Sequence, residues 1–350
     1  MLRFLATGDL QAHAWQQFSY TLPNGMNSRL ANCLKVFSIL GREAKARKIS
    51  KVLLNGDLFE ETDYINVSVY DGVYRKLEWL HSQGLETVVN LGNHDISLQS
   101  GHRVLHSLRP FRKVSTVVEE PKLVWGSLHV VPWMSSPEAL KQAIRNIQAE
   151  KSMGLALHCG VQGATAGPKA YLVRNPIKLR DVRPAAFACV LLSDFHTTQA
   201  LSGNTWYLGS PLQHTFGETH TPSIWDIRLL GAPPWFRADK IPTRLPRFRG
   251  LHLKELGSLR AKLNSWTGDY VRIRLAADSN IKDEEIEGLV AGRFLFQIER
   301  AGEELESKPS ERMHSLHPDE AISRYARAHA NGSSRTRLTS LGKELYTGSL

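Results

Sequence analysis

Short, almost wholly apolar runs alternate with longer stretches of helical periodicity over the N-terminal part of the chain. Leu2 to Leu10 is apolar up to Gly8-Asp9 and reads as a buried strand. After a loop bearing Gly, Pro and Asn, Ser28 to Lys48 sets Leu30, Cys33, Leu34, Phe37 and Leu40 at helical spacing and ends in basic residues. Lys51 to Leu58 predicts a second strand, closing on Gly56-Asp57-Leu58-Phe59, and Val67 to Leu80 a second helix. Glu86 to Leu91 predicts a third strand, running into Gly92-Asn93-His94-Asp95. Such βαβαβ alternation predicts a parallel sheet flanked by helices.

The pattern then changes. Ser115 to Trp133 predicts two strands, Pro137 to Glu150 a helix, and Gly154 to His158 a buried strand ending in His-Cys-Gly. Ala164 to Pro184 reads as a long loop, and Phe187 to Leu192 as a strand running into Ser193-Asp194-Phe195-His196. Trp206 to Pro211 and Ser223 to Leu230 complete a second sheet. The α/β class follows, with two sheets face to face and helices outside over residues 1–230. A boundary is expected near Gly231. Between Trp235 and Lys262 the chain carries eight Lys or Arg against two acidic residues, and Pro234, Pro242 and Pro246 punctuate it. A strand (Tyr270 to Leu275), a helix (Asp283 to Leu289) and a strand (Phe294 to Glu299) predict a small αβ domain within 231–310. The tail, 311–350, has helical pattern from His317 to Tyr346, broken at Asn331-Gly-Ser-Ser334.

Composition is that of a globular chain, 42% apolar and 22% charged over 350 residues. No apolar run approaches the roughly 18 residues of a membrane span, and the first residues read as a strand rather than a signal peptide. Cys33, Cys159 and Cys189 lack the spacing of a zinc site or a disulfide framework, which points to a reducing cytoplasm. The net charge of +10 favours a polyanionic partner.

Chemistry collects where strands end. Asp9, Asp57, Asn93, His158, and the pair Asp194 and His196 all follow buried strands, the place where open α/β sheets bind ligands. Taken singly, each reads as a turn residue; together they predict a metal site. Mixed oxygen and nitrogen ligands suit Mn²⁺, Mg²⁺, Fe or Zn²⁺. Two such ions, about 3.5–4 Å apart across a shared carboxylate, are the arrangement used for in-line displacement at phosphorus. His94 is then placed to neutralise the leaving oxygen.

The ordered set Gly8-Asp9, Gly56-Asp57, Gly92-Asn93-His94-Asp95, His158 and Asp194-Phe195-His196 resembles the calcineurin-like metallophosphoesterase superfamily over residues 1–230. Gly56-Asp-Leu-Phe59, Trp206-Tyr-Leu-Gly-Ser-Pro211 and Phe216-Gly-Glu218 more narrowly resemble SbcD-type subunits of double-strand-break repair nucleases, including phage versions. The resemblance implies a four-layer α/β/β/α sandwich with a C-terminal capping domain and helical tail. It also implies two divalent ions: Asp9 and His196 on the first, Asp57 bridging, Asn93 and His158 on the second. His94, with Asp95 beside it, is the implied catalytic group. Three positions depart from the usual pattern: Gln11 and Asp194 stand where the family carries histidine, and Glu60 where many relatives carry His or Asp. If Gln11 and Asp194 coordinate, both replace nitrogen by oxygen, which favours Mn²⁺ or Mg²⁺ over Zn²⁺.

The implied function is metal-dependent DNA exonuclease or endonuclease activity in recombination or break processing. The implied partners are an SbcC-type coiled-coil ATPase and a second copy of the chain. DNA, as linear duplex ends or single strands, would meet Arg244, Arg247 and Arg249, which are interleaved with Trp235 and Phe248. Apolar faces in the tail are candidate docking sites for the ATPase. A phosphatase or nucleotide phosphodiesterase, and a non-catalytic DNA-binding scaffold with an altered site, remain alternatives.

Overall fold

The computed structural model describes residues 1–100, 103–166, 171–172, 176–262, 264–293, 295–301, 337 and 339–341. The chain divides into two compact units, Met1–Glu299 and Arg300–Leu350. The tail helices expected between 317 and 346 lie outside the described residues, apart from 337 and 339–341, which are helical.

In chain order the elements are β1 (Leu2–Thr7), α1 (Ser28–Arg47), β2 (Lys51–Asn55), α2 (Val67–Ser82), β3 (Glu86–Asn90), and a hairpin of β4 (Ile96–Ser100) and β5 (Arg103–His106). Then come β6 (Thr116–Val118), β7 (Lys122–Val124), β8 (Leu128–Val131), α3 (Pro137–Asn146), β9 (Gly154–His158), and the short β10 (Thr165–Ala166) and β11 (Tyr171–Leu172). They are followed by β12 (Cys189–Ser193), β13 (Gln199–Ser202), β14 (Thr205–Tyr207), β15 (Ser223–Leu229) and β16 (Phe236–Pro242). The last group is β17 (Phe248–His252), α4 (Leu256–Arg260), β18 (Tyr270–Leu275), α5 (Asp283–Val290) and β19 (Leu295–Arg300).

Two six-stranded sheets carry the fold, ordered β16-β15-β1-β2-β3-β6 and β13-β14-β12-β9-β8-β7. The centre of each is parallel: β1, β2, β3 and β6 in the first, β8, β9, β12 and β14 in the second. Alternate residues along each strand explain the layering. In β1, Phe4 and Ala6 face inward to meet Ala156, Cys189 and Leu191 of the other sheet, while Leu5 faces outward. On the outer face of the first sheet, Leu30, Leu34, Phe37 and Leu40 of α1 and Val73, Leu77 and Leu80 of α2 cover Leu5, Val52, Leu54 and Val89. On the outer face of the second, Leu140 and Ile144 of α3 cover Leu155, Leu157, Val190 and Leu192. This is the four-layer α/β/β/α sandwich expected from the sequence, except that β15, expected in the second sheet, pairs antiparallel with β1 in the first. Cys33, Cys159 and Cys189 are buried free thiols.

The segment after Gly231, basic and punctuated by prolines, is extended into strands. β16 pairs along its whole length with β15, Ser223↔Pro242 through Leu229↔Phe236, and forms an edge of the first sheet. Its charged residues Arg237, Asp239 and Lys240 are exposed, as suits an edge strand. A separate three-stranded sheet, β17-β18-β19, packs Val271, Ile273 and Leu275 on Leu259 of α4 and on Ile286 and Val290 of α5.

One buried ion cluster ties α1 to the first sheet. Asp226, fully buried in β15, accepts two hydrogen bonds from Arg3 (2.9 and 2.6 Å) and is also met by Arg228 and by Arg47 at the end of α1. Burial alone would raise this carboxyl; the hydrogen bonds from Arg3 and Arg228 override it and hold the group at about 2. The Asp226 contribution is therefore complete above the unfolded carboxyl value and is lost as pH falls towards 2. Asp226→Asn should destabilise the protein by about 2 kcal/mol, since it removes charge-assisted bonds whose guanidinium partners can partly rehydrate. Urea unfolding at pH 7 checks the size, and repetition at pH 3 should shrink the difference.

Candidate metal centre

The parallel strands β1, β2 and β3 of one sheet and β9 and β12 of the other release their chains at a common rim. Gly8, Gly56 and Gly92 follow the first three, and each leaves room for a side chain from elsewhere. An added Cβ at Gly8 would strike the Ser193 hydroxyl, at Gly56 the His158 ring, and at Gly92 the Asp57 carboxylate. The residues that follow turn the backbone sharply. Asp9 (φ 51°), Gln11 (φ 44°), Asp57 (φ 51°) and Asp194 (φ 117°) all adopt positive φ, which non-glycine residues seldom do and which concentrates at functional sites.

These turns bring Asp9, Asp57 and His158 together, all buried, with ligand atoms within 4.8 Å of one another. His158 Nδ1 lies 3.1 Å from the Asn55 carbonyl, to which it donates, so its Nε2 faces the cluster. That nitrogen is 3.1 Å from Asn93 Oδ1 and 3.4 Å from Asp57 Oδ1. Asp57 Oδ1 also accepts the His94 N–H at 3.0 Å. The Asp194 N–H donates to Asp9 Oδ1 at 3.0 Å, whereas Asp9 Oδ2 is buried with no hydrogen-bond partner among the described residues. Burial pushes the Asp9 carboxyl up to about 7 against the pull of His158 and His196, and raises Asp194 as well. Burial opposes a charge on His158, but the carboxylates of Asp57 and Asp9 outweigh it and raise the imidazole well above its ordinary value. Crowded acids, a bare buried oxygen and an imidazole aimed at them are what a divalent cation would satisfy.

His94 stands at the open side, about one third exposed. Its Nδ1 is 2.6 Å from the Glu60 carbonyl; a carbonyl only accepts, so Nδ1 carries a proton and Nε2 is left for a substrate. Asp95, expected from sequence as a catalytic partner, is committed otherwise. Its carboxylate accepts from the N–H groups of Leu58 (2.9 Å), Phe59 (3.3 Å) and Gly92 (2.9 Å), which locks the turn after β3 to the turn after β2. The Glu60 carboxyl turns inward, with Oε2 buried, unpartnered among the described residues, and 4.0 Å from His94 Nδ1. Gln11 is buried on the turn after Asp9, its N–H donating to the Asp57 carbonyl at 2.8 Å. His13, two residues on, lies against the Trp15 ring.

Several supporting residues escaped the sequence reading. Glu218 Oε1 accepts from His196 Nδ1 at 2.8 Å, leaving the other His196 nitrogen for an ion, and its Oε2 accepts the His214 N–H at 3.0 Å. The Ser210 hydroxyl donates to the Asp9 carbonyl at 2.8 Å, and His214 Nε2 approaches the same carbonyl at 3.3 Å. Asn90 Nδ2 donates to Asn55 Oδ1, while Asn55 Nδ2 reaches the Leu157 carbonyl and Ser193 Oγ, pinning one sheet's rim to the other. The one sequence signal for the asparagine pair is a polar residue closing each of two apolar strands.

No family model matches the chain, and no curated protein matches it. Among solved structures it is similar to the crystal structure of a dimetal phosphatase from Danio rerio, at 9% identity over 69% of this chain and 96% of that one, with a TM-score of 0.37.

The arginines expected to meet DNA differ from one another. Arg244 is exposed. Arg249 pairs with Asp269 at 2.9 Å and lies over the Trp266 ring, so much of its charge serves the small sheet. The Arg247 N–H donates to Asp269 Oδ1 at 2.9 Å. Among the described residues, no helix is long and apolar enough to cross a membrane.

Proposed function

We propose that this chain is a metal-dependent phosphoester hydrolase of the calcineurin-like metallophosphoesterase superfamily. The observation that carries the reading is the buried Asp9–Asp57–His158 cluster, with an unpartnered carboxylate oxygen, at a rim to which both sheets contribute. Asp9 and His196 would hold one ion, Asn93 and His158 the second, and Asp57 would be shared. Gln11 and Asp194 sit on the same turns as further oxygen donors. Bound ions would supply a hydroxide at neutral pH and a counter-charge for the phosphate oxygens. The rest falls to the chain. The carbonyls of Asn55 and Glu60 fix the ring nitrogens of His158 and His94. Asp95 holds the two turns in register, and His94, whose charged form is favoured because the Asp57 carboxylate and the Glu60 carbonyl outweigh burial, carries on Nε2 the proton that the departing oxygen needs.

The finer reading is a DNA nuclease of SbcD type, acting as a dimer with an SbcC-type ATPase on DNA ends in the cytoplasm and preferring Mn²⁺ or Mg²⁺. Two segments of the narrower resemblance support it. Gly-Ser-Pro places Ser210 on Asp9, and Phe-Gly-Glu places Glu218 on His196. The oxygen-rich donor set favours the harder ions, and the net charge of +10 suits a polyanion.

The test assays purified protein on end-labelled linear duplex DNA, bis-p-nitrophenyl phosphate and p-nitrophenyl phosphate, with EDTA, Mn²⁺, Mg²⁺ or Zn²⁺. Diester and DNA cleavage with Mn²⁺, abolished by EDTA, is the expected result. Monoester turnover without diester cleavage would point to a phosphatase, and no turnover with any ion would overturn the enzyme reading.

A further inference from the structure

We propose that Arg29, far in sequence from every candidate ligand, is a positioning residue that couples the small C-terminal sheet to the metal centre. The proposal rests on the metal-centre reading above and concerns how its ligands are held.

Arg29 is the second residue of α1 and is 5% exposed. The capping geometry decides where it points. Asn27 Oδ1 accepts the N–H groups of Arg29 and Leu30 at 2.9 and 3.0 Å, while its Nδ2 donates to the Trp15 carbonyl at 2.9 Å. Helix start and preceding loop are thereby fixed to each other. The guanidinium lies among three rings: Trp15 at 4.9 Å, Phe248 at 5.0 Å and Tyr270 at 5.7 Å. Phe248 begins β17 and Tyr270 begins β18, so two of the three rings belong to the small sheet. From this position Arg29 donates through Nη1 to the Gln17 carbonyl (3.3 Å) and through Nη2 to the His214 carbonyl (3.0 Å).

His214 leads to the centre. Its Nε2 is 3.3 Å from the Asp9 carbonyl and 3.1 Å from Ser210 Oγ, and its ring lies 5.0 Å from the His196 ring. Asp9 and His196 are the proposed ligands of one ion. The run Ser210 to His214 therefore sits between that ion's ligands on one side and the small sheet on the other. The small sheet grips this run independently as well, because Gln213 Oε1 accepts the Phe248 N–H at 2.7 Å. A fork that donates to two carbonyls while stacked between rings is a demand that arginine meets and lysine does not. Groups that hydrogen-bond a metal ligand typically change metal affinity by about 10–100-fold when altered, and Arg29, one step further back behind His214, should act no more strongly than the lower end of that range.

The experiment compares wild type with Arg29→Lys, which keeps the charge and loses the fork. Calorimetric titration of the full chain with Mn²⁺ should show affinity about tenfold weaker, the lower end of that range, and raising Mn²⁺ should restore diester hydrolysis. A merely structural role would lower the melting temperature and leave the affinity alone. Equal Mn²⁺ affinity in the two proteins, whatever their melting temperatures, overturns the proposal. Should Arg29→Lys fail to fold, Phe248→Leu, which removes a ring from the stack, decides on the same terms: weaker Mn²⁺ binding supports the coupling, and unchanged binding refutes it. A wild type that binds no divalent ion would instead sink the metal-centre reading itself.

Discussion

His94→Asn should lower hydrolysis of a DNA phosphodiester by about 10²–10⁴-fold, the usual worth of a positioned general acid. Affinity for divalent ions should stay near the wild-type value. The separation follows from which atoms do what. The link between His94 and the cluster is its backbone N–H, which donates to Asp57 and survives the substitution. Its side chain is tied to the Glu60 carbonyl through Nδ1, and the Asn amide can still donate there. What is lost is the Nε2 proton. The loss should depend on the leaving group: p-nitrophenolate departs without help, so the aryl diester should suffer much less than DNA. An equal loss on both substrates would assign His94 to holding phosphate oxygens, and no loss on DNA would remove it from the mechanism. Initial rates at saturating Mn²⁺ on the two substrates are the measurement.

What the sequence made legible, and what it left hidden, divides by range. The strands β1, β2, β3, β9 and β12 are apolar on both faces, because each is covered by a sheet on one side and helices on the other. Such runs stand out with no knowledge of their neighbours. The strand-end ligands are legible for the same reason: each is a local departure from apolarity, and sheet topology gathers them. Elements read with difficulty are those at edges. β16, half charged and carrying Lys240 and Asp239, resembles a linker until β15 offers it a ladder. Hidden altogether were the polar pairs that brace the site. Glu218 meets His196, Ser210 meets Asp9 and Arg29 meets His214, across 22, 201 and 185 residues. No local pattern announces such a pair, since each partner alone is an ordinary polar residue. Asp95 shows the complement: its place beside His94 suggests chemistry, and only the structure reveals that its carboxylate also turns back to the backbone.

Stability and function pull in opposite directions at Asp9. Asp9→Asn should raise the melting temperature of the protein in EDTA and abolish its rise on adding Mn²⁺. In the metal-free protein Asp9 and Asp57 are buried carboxylates within 4.8 Å, and one Asp9 oxygen has no hydrogen-bond partner among the described residues. Burial and the neighbouring Asp57 and Asp194 carboxylates disfavour a charge on Asp9, whereas at Asp57 burial is outweighed by His158. The amide keeps an oxygen for the Asp194 N–H and removes one charge. Relief of 1–2 kcal/mol, taken as a rough figure, raises the melting temperature by about 2–4 °C per kcal/mol in proteins of 150–250 residues and by less in a larger chain. The wild type should behave in the opposite way. Mn²⁺ at a hundred times its dissociation constant adds about 2.7 kcal/mol to a site that binds in the folded state alone. The variant, short of an anionic ligand, should gain almost none of this. The order of the two melting curves therefore inverts between EDTA and Mn²⁺. A melting temperature that falls in EDTA would show Asp9 to be a structural hydrogen-bond acceptor. A wild type that gains nothing from Mn²⁺, Mg²⁺ or Zn²⁺ would show that the rim holds no ion. Inversion would mean that this rim keeps a destabilising Asp9 carboxylate in place for a cation that neither sheet needs in order to fold.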